Sequence, residues 1–151
     1  MATQIRDHVI RQNGARDRFH LAVQDDVSPD KRWPLRATLT QAMVADMVVT
    51  PDTGIAWAVA MEKMPKLMLL SHASLDNITK HWVNTTTLHA DPNRVPCWPC
   101  HRLHDTIDTC TPNRDGGHAA ACISDISVER IVTEVKRLWP RPGTVVAWGR
   151  P

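Results

Sequence analysis

Apolar and polar positions along the chain alternate with periods that mark short helices and shorter strands. From Thr3 to Asn13, Ile5, Val9 and Ile10 recur at helical spacing, and Asn13-Gly14 supplies a stop. A strand is expected near Phe19 to Val23, where Phe19, Leu21 and Val23 alternate against His20 and Ala22. Asp25-Asp26 and Ser28-Pro29-Asp30 then read as loop as far as Trp33-Pro34. Leu35 to Asp46 returns to the helical period, with Leu39, Met43 and Val44 on one face.

The middle of the chain is the most regular. Residues 47 to 50, MVVT, form a short apolar run of the kind buried in a parallel sheet. PDTG turns the chain into GIAWAVAMEKM, a run of strong helix formers, which Pro65 ends. KLMLLS, residues 66 to 71, is a second buried strand. Strand, turn, helix and strand in close succession make a βαβ unit, so the expected class is α/β with a parallel sheet.

Beyond Ser71 the pattern loosens. Ser71, His72, Ser74, Asn77, Thr79, Lys80 and His81 make a polar stretch where a strand ends, the edge at which open α/β sheets bind ligands. Residues 89 to 122 carry the cysteines and many of the prolines and histidines with little periodicity, and read as an irregular Cys-rich excursion. Ser127 then caps a final helix with Ile131, Val132, Val135, Leu138 and Trp139 along one side. Residues 140 to 151 are proline-rich and read as a loose tail, which leaves residues 1 to 139 as one partial domain.

Composition narrows the classes of function. Basic residues number 18 and acidic 16, a net charge of +2, and they are scattered, so nothing argues for nucleic acid. No stretch is apolar enough for a signal peptide or a membrane span, and a reducing cytoplasm is the expected compartment. Four cysteines in that setting read as thiols or metal ligands before disulfides.

Those cysteines include the segment CWPCH, residues 97 to 101. As a bare pattern it fits covalent haem attachment, a redox pair or half of a zinc site. Haem is set aside, because the chain is poor in aromatic residues and is placed in the cytoplasm. A redox pair wants a helix N-terminus, which Trp98 and Pro99 do not establish. Cys97, Cys100, Cys110 and Cys122 are compatible with a structural tetrathiolate zinc site, with His101, His104 and His118 as substitutes, and equally with free buried thiols. His72, His81 and His89 are candidates for ligand or acid–base work.

Thr50-Pro51-Asp52-Thr53-Gly54 lies between a buried strand and a helix start. Unpaired backbone N–H groups there suit a phosphate, Gly54 permits close approach, and Asp52 or Thr53 is expected to cap the helix.

The run ADMVVTPDTGIAWAVAMEKMPKLMLLSHAS resembles the C-terminal half of glycosyltransferase family 9, the ADP-heptose:lipopolysaccharide heptosyltransferases, and most of all its divergent phage and bacterial members. NITKHWVNTTTLHADP, VPCWPCHRLH, Cys110 and AACISDISVERIV extend the resemblance over roughly residues 18 to 138. It implies an inverting enzyme of the GT-B type without a catalytic metal, whose C-terminal Rossmann-like domain holds the nucleotide-sugar donor. On that likeness Asp52, Thr53 and Gly54 match the turn at the donor diphosphate, and Trp57, Ser71, His72 and Ser74 are donor-proximal. Where the family commonly has a histidine three residues after the motif glycine, this chain has Trp57. The acceptor domain and its general base have no counterpart in the sequence, so the chain is expected to bind a donor and to be inactive alone. A separate acceptor half or self-association would complete it. The alternative expectation is a non-catalytic, zinc-stabilised interaction module on the same scaffold.

Overall fold

The computed structural model describes residues 34–101, 110 and 119–139. The helix expected at 3–13, the strand at 19–23, the loop before Trp33 and the tail from 140 lie outside the described residues, as do His104 and His118. Among the described residues eight elements follow in order: α1 (Leu35–Met43), β1 (Val48–Pro51), α2 (Gly54–Ala58), β2 (Lys66–Leu70), α3 (Leu75–Ile78), β3 (Thr85–His89), α4 (Ala121–Ser124) and α5 (Val128–Leu138). The three strands form one parallel sheet in the order β1-β2-β3. Val48 pairs with Lys66, and Lys66 with Thr85. This is a small Rossmann-like α/β arrangement, each strand returning through a helical crossover.

The central strand explains the layering. Every residue of β2 is buried, and a strand sends successive side chains to opposite faces. Leu67 and Leu69 face Ile126, Ile131, Val132 and Val135, so the amphipathic α5 covers one side of the sheet. Met68 and Leu70 pack with Ala56 of α2 and with Ile78 and Trp82, which cover the other. A third cluster, Val48, Val59 and Met64 with Ala42 and Ala45, seats α1 beside the start of β1. Fully burying an aliphatic side chain of this size contributes about 1.5–3 kcal/mol, and these contacts carry the fold.

Three sequence expectations change. The helix expected across GIAWAVAMEKM ends at Ala58, and Val59 to Met61 form turns. Pro65 disfavours helix at Met64, and the chain must reach β2 one residue later. Lys66, only 1% exposed, bends its ammonium back to the carbonyls of Glu62 and Met64, which the shortened helix leaves without helical partners. Secondly, the stretch after Ser71 is ordered: it holds α3 and a third strand, β3. Its Thr85-Thr86-Thr87 run is β-branched but carries no apolar alternation, and all of β3 is only half-buried. Thirdly, the helix expected to run to Asp46 ends at Met43.

The expected Ser127 cap is present: its hydroxyl accepts from the Arg130 N–H at 3.3 Å. Arg130 also donates to the His89 carbonyl and Arg137 to the Thr86 hydroxyl, each at 3.2 Å, so α5 lies along β3 in the opposite direction. Among the described residues no helix is long and apolar enough to cross a membrane.

Candidate functional site

Because the strands are parallel and in register, the segments leaving their carboxyl ends emerge on one edge of the sheet. After β1 come Asp52, Thr53 and Gly54; after β2, Ser71 and His72; at the end of β3, His89. The sequence-predicted donor residues are therefore brought to a common edge by topology.

In the first turn neither expected side-chain cap forms. Thr53 occupies the N-cap position without a capping bond, and its hydroxyl pairs instead with that of Thr50 at 3.2 Å. Asp52 accepts the indole N–H of Trp57 at Oδ1, 2.9 Å away. The first-turn N–H groups of a helix have no partners within the helix, and among the described residues no side chain caps them. A Cβ built on Gly54 would meet nothing within 4 Å, so the space before this turn is open.

In the second segment Ser71 Oγ and His72 Nδ1 are 2.9 Å apart. The His72 carbonyl accepts from the N–H of His101 at 2.9 Å, and Asn77 reaches His101 Nδ1 at 3.3 Å. These bonds bring the end of CWPCH back to the strand-end loop of β2, where His101 takes a left-handed φ of 51°. Ser74 is the N-cap of α3, also without a side-chain bond.

At β3, His89 stacks on Trp98 with ring centroids 4.2 Å apart and planes within 5°. A carbonyl can only accept, so the 2.8 Å contact with Ala90 O places a proton on His89 Nδ1 and leaves Nε2 as the other ring position. His81 is exposed in the turn after α3, on the way to the start of β3, and does not join the edge.

The segment that starts at Asp91 is anchored by residues that sequence reasoning passed over. Asp125, its side chain 5% exposed, accepts from the Asp91 N–H at 2.9 Å and pairs with Arg94 at 2.9 Å, with Arg130 at 4.0 Å. Arg130 further donates to the Asp125 carbonyl at 3.3 Å. An aspartate two residues before a helix cap has no distinctive pattern, and only the fold reveals its role.

Cys97 is exposed while Cys100, Cys110 and Cys122 are half-buried. Burial pushes the Cys122 thiol up, and the nearby Cys100 and Cys97 add to the rise. Three thiols thus share a neighbourhood, yet among the described residues no group of three or more His, Cys, Asp or Glu stands in metal-holding geometry. The Trp98 indole N–H is buried without a hydrogen-bond partner among the described residues.

No family model, curated protein or solved structure matches the chain.

Proposed function

We propose that the chain is the nucleotide-sugar donor-binding part of an inverting glycosyltransferase of the GT-B type, with an ADP-heptose-like donor. The observation that supports it best is the gathering of Thr53-Gly54, Ser71-His72 and His89 at the carboxyl edge of a parallel sheet, where α/β folds bind nucleotides. The uncapped first turn of α2 offers backbone donors to a diphosphate, and Gly54 leaves room for it. In transfer, the same donors would stabilise the charge that builds on the departing diphosphate, while the loops hold the donor oriented toward an acceptor.

Calorimetric titration with ADP, UDP and GDP tests the reading. One nucleotide should bind saturably to the wild type and fail to bind Gly54→Val. The room for a Cβ at Gly54 makes that variant informative: an added Cβ meets no described residue within 4 Å, so lost binding with the fold retained reports a ligand at the turn. Absence of binding to all three nucleotides by the wild type overturns the reading.

A further inference from the structure

Trp57 presents an aromatic surface that is both held and open. Single exposed apolar side chains are ordinary, but they are usually free to move. This indole is fixed at its N–H by Asp52 Oδ1, 2.9 Å away, and meets Trp82 edge to face with centroids 5.1 Å apart at 74°. Trp82 in turn packs against Ala56, Met68 and Leu70, so the pair is anchored to the core. Trp57 nevertheless stays 51% exposed. Its contact with Trp82 is edge to face, so the two indoles do not stack face on face.

The neighbourhood of that face is specific. Gly54 lies one helical turn earlier on the same side of α2, and a Cβ added there would meet no described residue beyond its own chain neighbours and helix within 4 Å. The indole, held by Asp52 of the turn itself, therefore borders the Asp52-Thr53-Gly54 turn. Orienting the indole in advance removes the ordering cost that a mobile side chain would add when a ligand docks.

We propose that Trp57 is a stacking platform for a ring of the bound nucleotide sugar, and that Asp52 is the positioning residue that sets the indole's orientation. This rests on the donor-site reading above. The shared chemistry is a ring face laid over the indole, supplied either by the C–H face of the sugar or by the flat π-face of the base.

The test uses the full chain and three probes: ADP-glucose, ADP and pyrophosphate. Trp57→Ala should weaken ADP-glucose roughly tenfold, as loss of one stacking contact does, and Trp57→Phe should retain most of the affinity. If Trp57→Ala spares ADP, the stacked ring is the sugar; if ADP weakens equally while pyrophosphate does not, it is the base. Asp52→Ala should weaken ADP-glucose less than Trp57→Ala, and the double variant should be no weaker than Trp57→Ala, since the carboxylate acts through the indole. Unchanged affinities in Trp57→Ala overturn the inference while leaving the donor site standing. A change in oligomeric mass without a change in affinity also overturns it and assigns Trp57 to self-association. If the wild type binds none of the probes, the donor site itself falls.

Discussion

The sheet and the segment from Asp91 to His101 are built from opposite materials. β2 contributes five buried residues, and its two faces are closed by α5 on one side and by α2, Ile78 and Trp82 on the other. Between Asp91 and His101, Val95 is the one fully buried residue, and the segment is held by directed polar contacts: Asp125 with Arg94 and the Asp91 N–H, and the His72 carbonyl with His101. Apolar burial tolerates small displacements because it has no preferred direction, whereas a hydrogen bond is lost within a fraction of an ångström. One region thus supplies stability and the other supplies position, and both meet at the carboxyl edge.

That division is open to attack from either side. The largest effect should come from Leu67→Ala, which removes a fully buried side chain at the centre of the contact with α5. It should lower unfolding free energy by about 2–5 kcal/mol, read from a shifted urea midpoint. Asp125→Ala should cost less globally, about 1–3 kcal/mol, because its arginine partners are largely in solvent. Its signature should be local: faster amide exchange around Asp91 with protection across β2 retained. Equal loss of protection in β2 would show that the two regions are one cooperative unit.

The smallest effect is one of pH. Burial lowers the pKa of Lys66 from 10.5, partly offset by the Glu62 carboxylate. The folded state therefore bears a penalty for the charged amine that is complete below the folded-state pKa. It fades as pH rises through that value toward 10.5, so this group makes the fold relatively more stable with alkalinity over that window. Denaturation midpoints at about pH 7 and about pH 10 should show a smaller alkaline loss for wild type than for Lys66→Met.

What was legible in the sequence follows from how each region is built. β1, β2 and α5 announce themselves because burial leaves apolar residues at fixed periods, as in LMLL and in Ile131, Val132 and Val135. The turn of Asp52, Thr53 and Gly54 was legible as the link between strand and helix. Its internal bonding was not, because two threonine hydroxyls and an indole compete for groups that a sequence would assign to capping. β3 was hidden because a half-buried strand of threonines resembles a loop in hydropathy. The role of Asp125 was least visible of all: its partners Asp91 and Arg94 lie more than thirty positions away, and no local pattern connects them.

The cover on the Leu67–Leu69 face has a further consequence for how the molecule is made. The three described strands are encoded in one continuous stretch, from Val48 to His89, but α5 begins only at Val128. During synthesis the strands leave the ribosome first, and the face formed by Leu67 and Leu69 waits for the residues that close it. The order of the genetic message thus imposes an interval in which a nascent sheet carries an exposed oily side, the condition under which chaperones engage a growing chain.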